Sequence, residues 1–108
     1  FFMNDEIERI HIGDSEDIDK NSAENFEHED FDYAIFNIDG LFYATQGNCF
    51  CEEQALISEG TIDGDEIECS SCSRTFNIHS GDNISNPTAD RLKIYEISEE
   101  NGSLYLII

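Results

Sequence analysis

Four cysteines in two tight pairs, Cys49-Phe50-Cys51 and Cys69-Ser70-Ser71-Cys72, with seventeen residues between the pairs, constrain this chain more than any other feature. Such spacing puts two sulfurs on one side of a loop, so two loops brought together form a four-thiolate cage for a soft metal centre. Two structural disulfides are a weaker account. Without a secretion signal the thiols are expected to stay reduced, and Cys-x-Cys spacing leaves an adjacent pair poorly placed to bridge. Zinc is the more serious rival to an iron–sulfur cluster, because four thiolates bind it well and spacing alone does not separate the two.

Around the cysteines the chain is punctuated by turn residues. Tyr33-Ala34-Ile35-Phe36-Asn37 and Leu41-Phe42-Tyr43-Ala44 flank Ile38-Asp39-Gly40, the strongest hairpin signal present. A second candidate hairpin runs Thr61-Ile62, then Asp63-Gly64-Asp65, then Glu66-Ile67-Glu68, straight into Cys69. A third pairs Leu92 to Ile97 with Leu104 to Ile107 across Glu99-Glu100-Asn101-Gly102, and its alternation suits strands with one buried face. Glu6 to Ile12 reads as a short edge strand. Residues 13–30, almost wholly polar apart from Ile18 and Phe26, read as an acidic loop. No segment offers a long helical period, so the expected class is all-β, one domain over residues 1–108.

The balance of 25 Asp plus Glu against 5 Lys plus Arg gives a formal charge of -20, spread along the whole length. A polyanionic partner would be repelled, which excludes nucleic acid. Two readings of the acidity stand side by side: a hydrated surface suited to high salt, and a face that docks a basic protein. With 39% hydrophobic residues, including eight Phe and four Tyr, the chain is no acidic disordered tail. No apolar run is long enough to cross a bilayer, and Phe1-Phe2-Met3 is too short and too quickly acidic for a signal peptide; a cytoplasmic monomer is the expectation.

The order of residues around the cysteine pairs resembles the Rieske-type ferredoxins, whose cluster-binding loops read Cys-x-His and Cys-x-x-His. Here both histidine positions hold cysteine, Cys51 and Cys72. The likeness continues through Leu41-Phe42-Tyr43-Ala44-Thr45, through Ala55 to Asp65 between the loops, and through Phe76-Asn77, Ser80-Gly81 and Pro87 to the closing Leu104-Tyr105-Leu106. It covers roughly Asp32 to Ile107 and leaves the acidic N-terminal third weakly matched. It implies a Rieske-like fold of three stacked antiparallel sheets, with a small cluster-binding subdomain over about residues 45–87.

Carried across position by position, the resemblance gives Cys49 and Cys69 to an inner iron and Cys51 and Cys72 to an outer, more exposed one, so the implied cofactor is a [2Fe-2S] cluster. Two thiolates in place of two neutral imidazoles add two negative charges, which makes accepting an electron harder. The expected potential lies nearer the plant-type value of about -400 mV than the Rieske range of about -150 to +300 mV. Ser70, Ser71 and Ser73 are candidates to hydrogen-bond the cluster sulfurs, although plain loop serines account for them better. Phe50 is expected to shield the cluster. His11, His28 and His79 fall outside the family's ligand positions, with His79 the one closest to a loop.

Function follows the site. The resemblance implies a one-electron carrier between a ferredoxin reductase and a terminal acceptor such as an oxygenase, its acidic surface available for docking. The alternative is a non-redox structural or regulatory module in which the cysteines bind zinc or a single iron. A third possibility, the small Rieske-like subunit of a nitrite reductase, keeps the fold without the ligands, and sulfur at all four positions argues against it. No nucleophile–base pair and no phosphate-cradling glycine loop is recognisable, so catalysis by the chain itself is not expected.

Overall fold

The Asp-Gly turn is built as its chemistry predicts. In a computed structural model that describes residues 9–51 and 54–108, β3 (Phe31–Ile38) returns as β4 (Leu41–Gln46) with Ile38 opposite Leu41. Asp39 and Gly40 lie at φ 55° and 90°, the left-handed pair whose twist matches that of the strands it joins.

Both faces of β3 are covered. Ala34, Phe36 and Ile38 pack with Ile57, Ile67, Phe76, Ile78 and Leu92, whereas Tyr33 and Ile35 pack with Ile18, Ala44, Leu104 and Leu106. Burying Phe36 alone stabilises the fold by roughly 1.5–3 kcal/mol. Asn37, buried on the same strand, is satisfied: its amide donates to the Ile18 carbonyl at 2.8 Å and its Oδ1 accepts from the Gly40 N–H at 2.8 Å.

These two cores define three layers. The middle layer is β2 (Ser22–His28), β3 and β4; the second is β1 (Arg9–Asp14), β9 (Ser103–Ile107) and β8 (Ile94–Glu100); the third is β5 (Thr61–Asp63), β6 (Glu66–Glu68) and β7 (Thr75–Asn77). The first two join edge to edge in the order β1-β9-β8-β4-β3-β2, but only through Ala44 opposite Tyr95 and Thr45 opposite Ile94. All pairings are antiparallel, and the stacked, all-β architecture expected from the sequence is present. Among the described residues the helical content is two 3-10 turns, Ser15–Asp17 and Ile57–Glu59, and no helix is long and apolar enough to cross a membrane.

Three boundaries differ from the sequence reading. The acidic loop of residues 13–30 contains β2, paired with β3 along its whole length from Ser22 opposite Asn37 to His28 opposite Phe31. As an edge strand it carries Glu24 and Glu27 outward, so charge there blunts an open edge and does not signal a loop. The edge strand placed at Glu6 to Ile12 is β1, which runs on to Asp14; its first three residues fall outside the described ones. In the last hairpin Glu99 and Glu100 belong to β8, the turn is Asn101-Gly102, and Leu92 is buried core ahead of the strand.

Candidate metal centre

Each cysteine pair sits where a strand runs out. The first follows β4, and its loop is fixed to the middle layer at Gly47, whose N–H donates to the Asp32 carbonyl at 2.8 Å. A Cβ on Gly47 would come within 2.5 Å of the Asp32 carbonyl carbon, so only glycine permits this approach. Beyond it the Cys49 N–H donates to Ala55 O at 2.9 Å, the Gln54 N–H to Cys51 O at 2.9 Å, and the Ile57 N–H to Gly47 O at 2.8 Å. Loop one is thereby folded back on itself with its sulfurs facing the core.

The second pair caps the small sheet. Cys69 follows β6 directly, its N–H donating to the Arg74 carbonyl at 2.8 Å, while the Ser73 N–H donates to the Cys69 carbonyl at 3.1 Å. Ser73 takes φ 65°, and the tight turn that results carries the chain from β6 into β7. Behind β7, the Ile84 N–H donates to Thr75 O at 2.8 Å and the Thr75 N–H to Ser85 Oγ at 2.9 Å.

The two loops meet. The Sγ atoms of Cys49, Cys51, Cys69 and Cys72 all lie within 4.8 Å of one another, and this is the one group of its kind among the described residues. All four thiols are free, and Cys49 and Cys72 approach to 3.5 Å. Exposure is graded across them: Cys69 is 2%, Cys49 3% and Cys51 8% exposed, and Cys72 is half-buried. Burial, the dominant influence on Cys49, pushes its thiol up to about 12. Burial pushes Cys72 upward as well, but the Arg74 backbone N–H, the Cys49 and Cys69 sulfurs and the Arg74 guanidinium outweigh it and bring that thiol down to about 7. A donor set of four soft sulfurs, with no hard oxygen among them, suits an iron–sulfur cluster.

Other expected contributors divide. The Ser71 backbone N–H lies 3.5 Å from Cys69 Sγ, whereas among the described residues no serine hydroxyl bonds a sulfur. Phe50 remains 41% exposed, its ring centroid 6.3 Å from that of Phe76, and so covers the core only in part. His79 bonds Asp65 Oδ1 at 2.8 Å and meets the Tyr43 ring edge-on, and it is not part of the four-cysteine group; His11 packs on Tyr105 and His28 on Phe26. Arg74 was not anticipated. Its Nη1 donates to Cys72 Sγ at 3.3 Å, and the available signal was a scarce cation two residues beyond the last cysteine.

Residues 8–96 match the Rieske [2Fe-2S] domain. The chain belongs to that family, and its cofactor is accordingly a [2Fe-2S] cluster. It is 43% identical over 67 residues to the biphenyl dioxygenase ferredoxin subunit of Pseudomonas sp. (strain KKS102), covering 62% of each chain. The chain thus spans somewhat less than two thirds of that relative. Among solved structures it superposes with a TM-score of 0.83, 27% identity and 91% coverage of both chains on a chain from the complex of reduced oxygenase and oxidised ferredoxin in carbazole 1,9a-dioxygenase. A protein described as the small subunit of an NADPH nitrite reductase superposes with a TM-score of 0.81 at 18% identity, covering 94% of this chain and 99% of the other, a likeness of fold alone.

Proposed function

We propose that the chain is a one-electron carrier whose Cys49, Cys51, Cys69 and Cys72 hold the [2Fe-2S] cluster in a subdomain spanning about residues 45–87 of a single domain. The observation that carries this reading is the convergence of four sulfurs from two loops to within 4.8 Å. When bound, the cluster takes up and gives back single electrons. The chain supplies the rest: deep burial of Cys49 and Cys69 suits them to the inner iron, and the greater exposure of Cys51 and Cys72 suits them to the outer one, nearest the surface where electrons leave. The expected partners are a ferredoxin reductase and a terminal oxygenase, by likeness to the ferredoxin subunit of biphenyl dioxygenase, and the expected setting is a monomer in the cytoplasm.

Iron and labile-sulfide analysis of anaerobically purified protein tests the ligation, with electron paramagnetic resonance after reduction. Two irons and labile sulfide are expected, with a midpoint nearer about -400 mV than the Rieske range, whose lower limit is about -150 mV. A midpoint above that limit contradicts four-thiolate ligation. One observation favours a second reading: Cys49 and Cys72, assigned to different irons, are 3.5 Å apart, which is the separation of two ligands on a single tetrahedral ion with metal–sulfur bonds of about 2.3 Å and is too short for thiolates on two different irons. Zinc, or one iron without sulfide, in the same analysis supports that reading instead.

A further inference from the structure

Arg74 is the one Lys or Arg among the described residues that meets a sulfur; Lys20, like it, forms no ion pair among them. Arg9 pairs with Glu100, Arg91 with Asp82 at 3.1 Å, and Lys93 lies over the Tyr95 ring, each on the protein surface. In a chain with 25 carboxylates and 5 Lys plus Arg, the Arg74 guanidinium forms no ion pair with any carboxylate among the described residues. It donates instead to Cys72 Sγ at 3.3 Å, the most exposed of the four sulfurs.

We infer that Arg74 sets the reduction potential of the cluster by donating a charged N–H to the Cys72 sulfur. The inference rests on the proposed four-cysteine ligation. Reduction adds one negative charge to a centre already carrying four thiolates, so a fixed positive charge beside an outer ligand stabilises the reduced state more than the oxidised one. A charge-assisted bond to that sulfur acts in the same direction, because it draws electron density from the iron it ligates. Arg74 thereby offsets part of the extra negative charge that Cys51 and Cys72 bring to the outer positions. Its side chain is separable from the loop's architecture. The turn is closed by the Arg74 backbone carbonyl, which accepts from the Cys69 N–H at 2.8 Å and survives any side-chain substitution. Arg74 is thus a tuning residue acting through Cys72.

The test is a dye-mediated potentiometric titration of the holoprotein beside Arg74→Gln and Arg74→Lys, each with its iron and sulfide content. For Arg74→Gln the equilibrium constant for reduction is expected to fall about tenfold, a lowering of about 59 mV for one electron. Arg74→Lys keeps the charge but loses the planar fork, and a smaller fall of about threefold is expected. A residue that merely braces the loop would lower cluster content without moving the midpoint of the molecules that keep it. An unchanged midpoint in cluster-loaded Arg74→Gln therefore overturns the inference. Should that variant fail to assemble a cluster, Arg74→Lys decides: a lowered midpoint supports the inference and an unchanged one overturns it. Wild-type protein without two irons and sulfide would instead defeat the reading of the four cysteines as cluster ligands, and this inference with it.

Discussion

The two cores on either side of β3 are made of different material. One side packs Tyr33, Ile35, Ile18, Ala44, Leu104 and Leu106, all carbon-rich side chains between strands of five to eight residues. The other packs Phe36, Ile57, Ile67, Phe76 and Ile78 together with Cys49, Cys51 and Cys69, beneath a sheet of three-residue strands. The first is held by burial and by the strand ladders around it, with no metal-ligating side chain among its members. The second has sulfur where a small core would otherwise need more hydrocarbon, and thiols gathered this closely form a stable wall once a metal centre joins them. On the proposed ligation, one half of the fold is finished by its sequence and the other half by its cofactor.

Removing the cluster tests this contrast most severely. Stripped of iron by acid or chelator, the protein is expected to lose hydrogen-exchange protection by about a hundredfold or more at Ile67 and Phe76, while Ile35 and Leu106 change little, since local stabilities differ between cooperative units. Uniform loss in both layers would break the comparison. Next comes core truncation. Phe36→Ala, facing the cysteine side, is expected to cost about 3–5 kcal/mol in chemical denaturation and to lower iron content, whereas Ile35→Ala, facing the other way, is expected to cost about 2–5 kcal/mol and leave iron content and midpoint intact.

A third test returns the family's ligands. With Cys51→His and Cys72→His together, the midpoint is expected to move from the neighbourhood of about -400 mV toward the Rieske range of about -150 to +300 mV and to become dependent on pH. The smallest effect is expected of the unaltered protein. With thiolates at all four positions and no imidazole to titrate, its midpoint should be nearly flat between about pH 6 and 9, since the histidine ligands that would change charge there are missing. A slope of one proton per electron in a pH-resolved titration contradicts the assignment.

What could be read in advance follows the same division between local and non-local causes. The β3–β4 turn was legible because Asp39 and Gly40 carry their geometry with them, and the cysteine cage because paired spacing is itself a local signature. β2 was hidden. Its few apolar side chains, Ala23 and Phe26, sit among Glu24, Glu27 and polar neighbours, and what makes it a strand is seven-residue pairing with β3, which no window of its own sequence contains. Leu92 reads as a strand residue because its alternation with Ile94 is regular, yet the ladder begins only at Ile94. Arg74 became meaningful only once the turn from Cys69 placed its guanidinium over Cys72.

The open rim formed by β2 bears on how copies of the molecule behave in a crowded solution. Unpaired backbone along such a rim is a template for growth, yet a second copy arriving there must first press Glu24 and Glu27 against carboxylates of its own. Repulsion meets it before the first rung of a shared ladder can form, which disfavours growth of filaments through this edge.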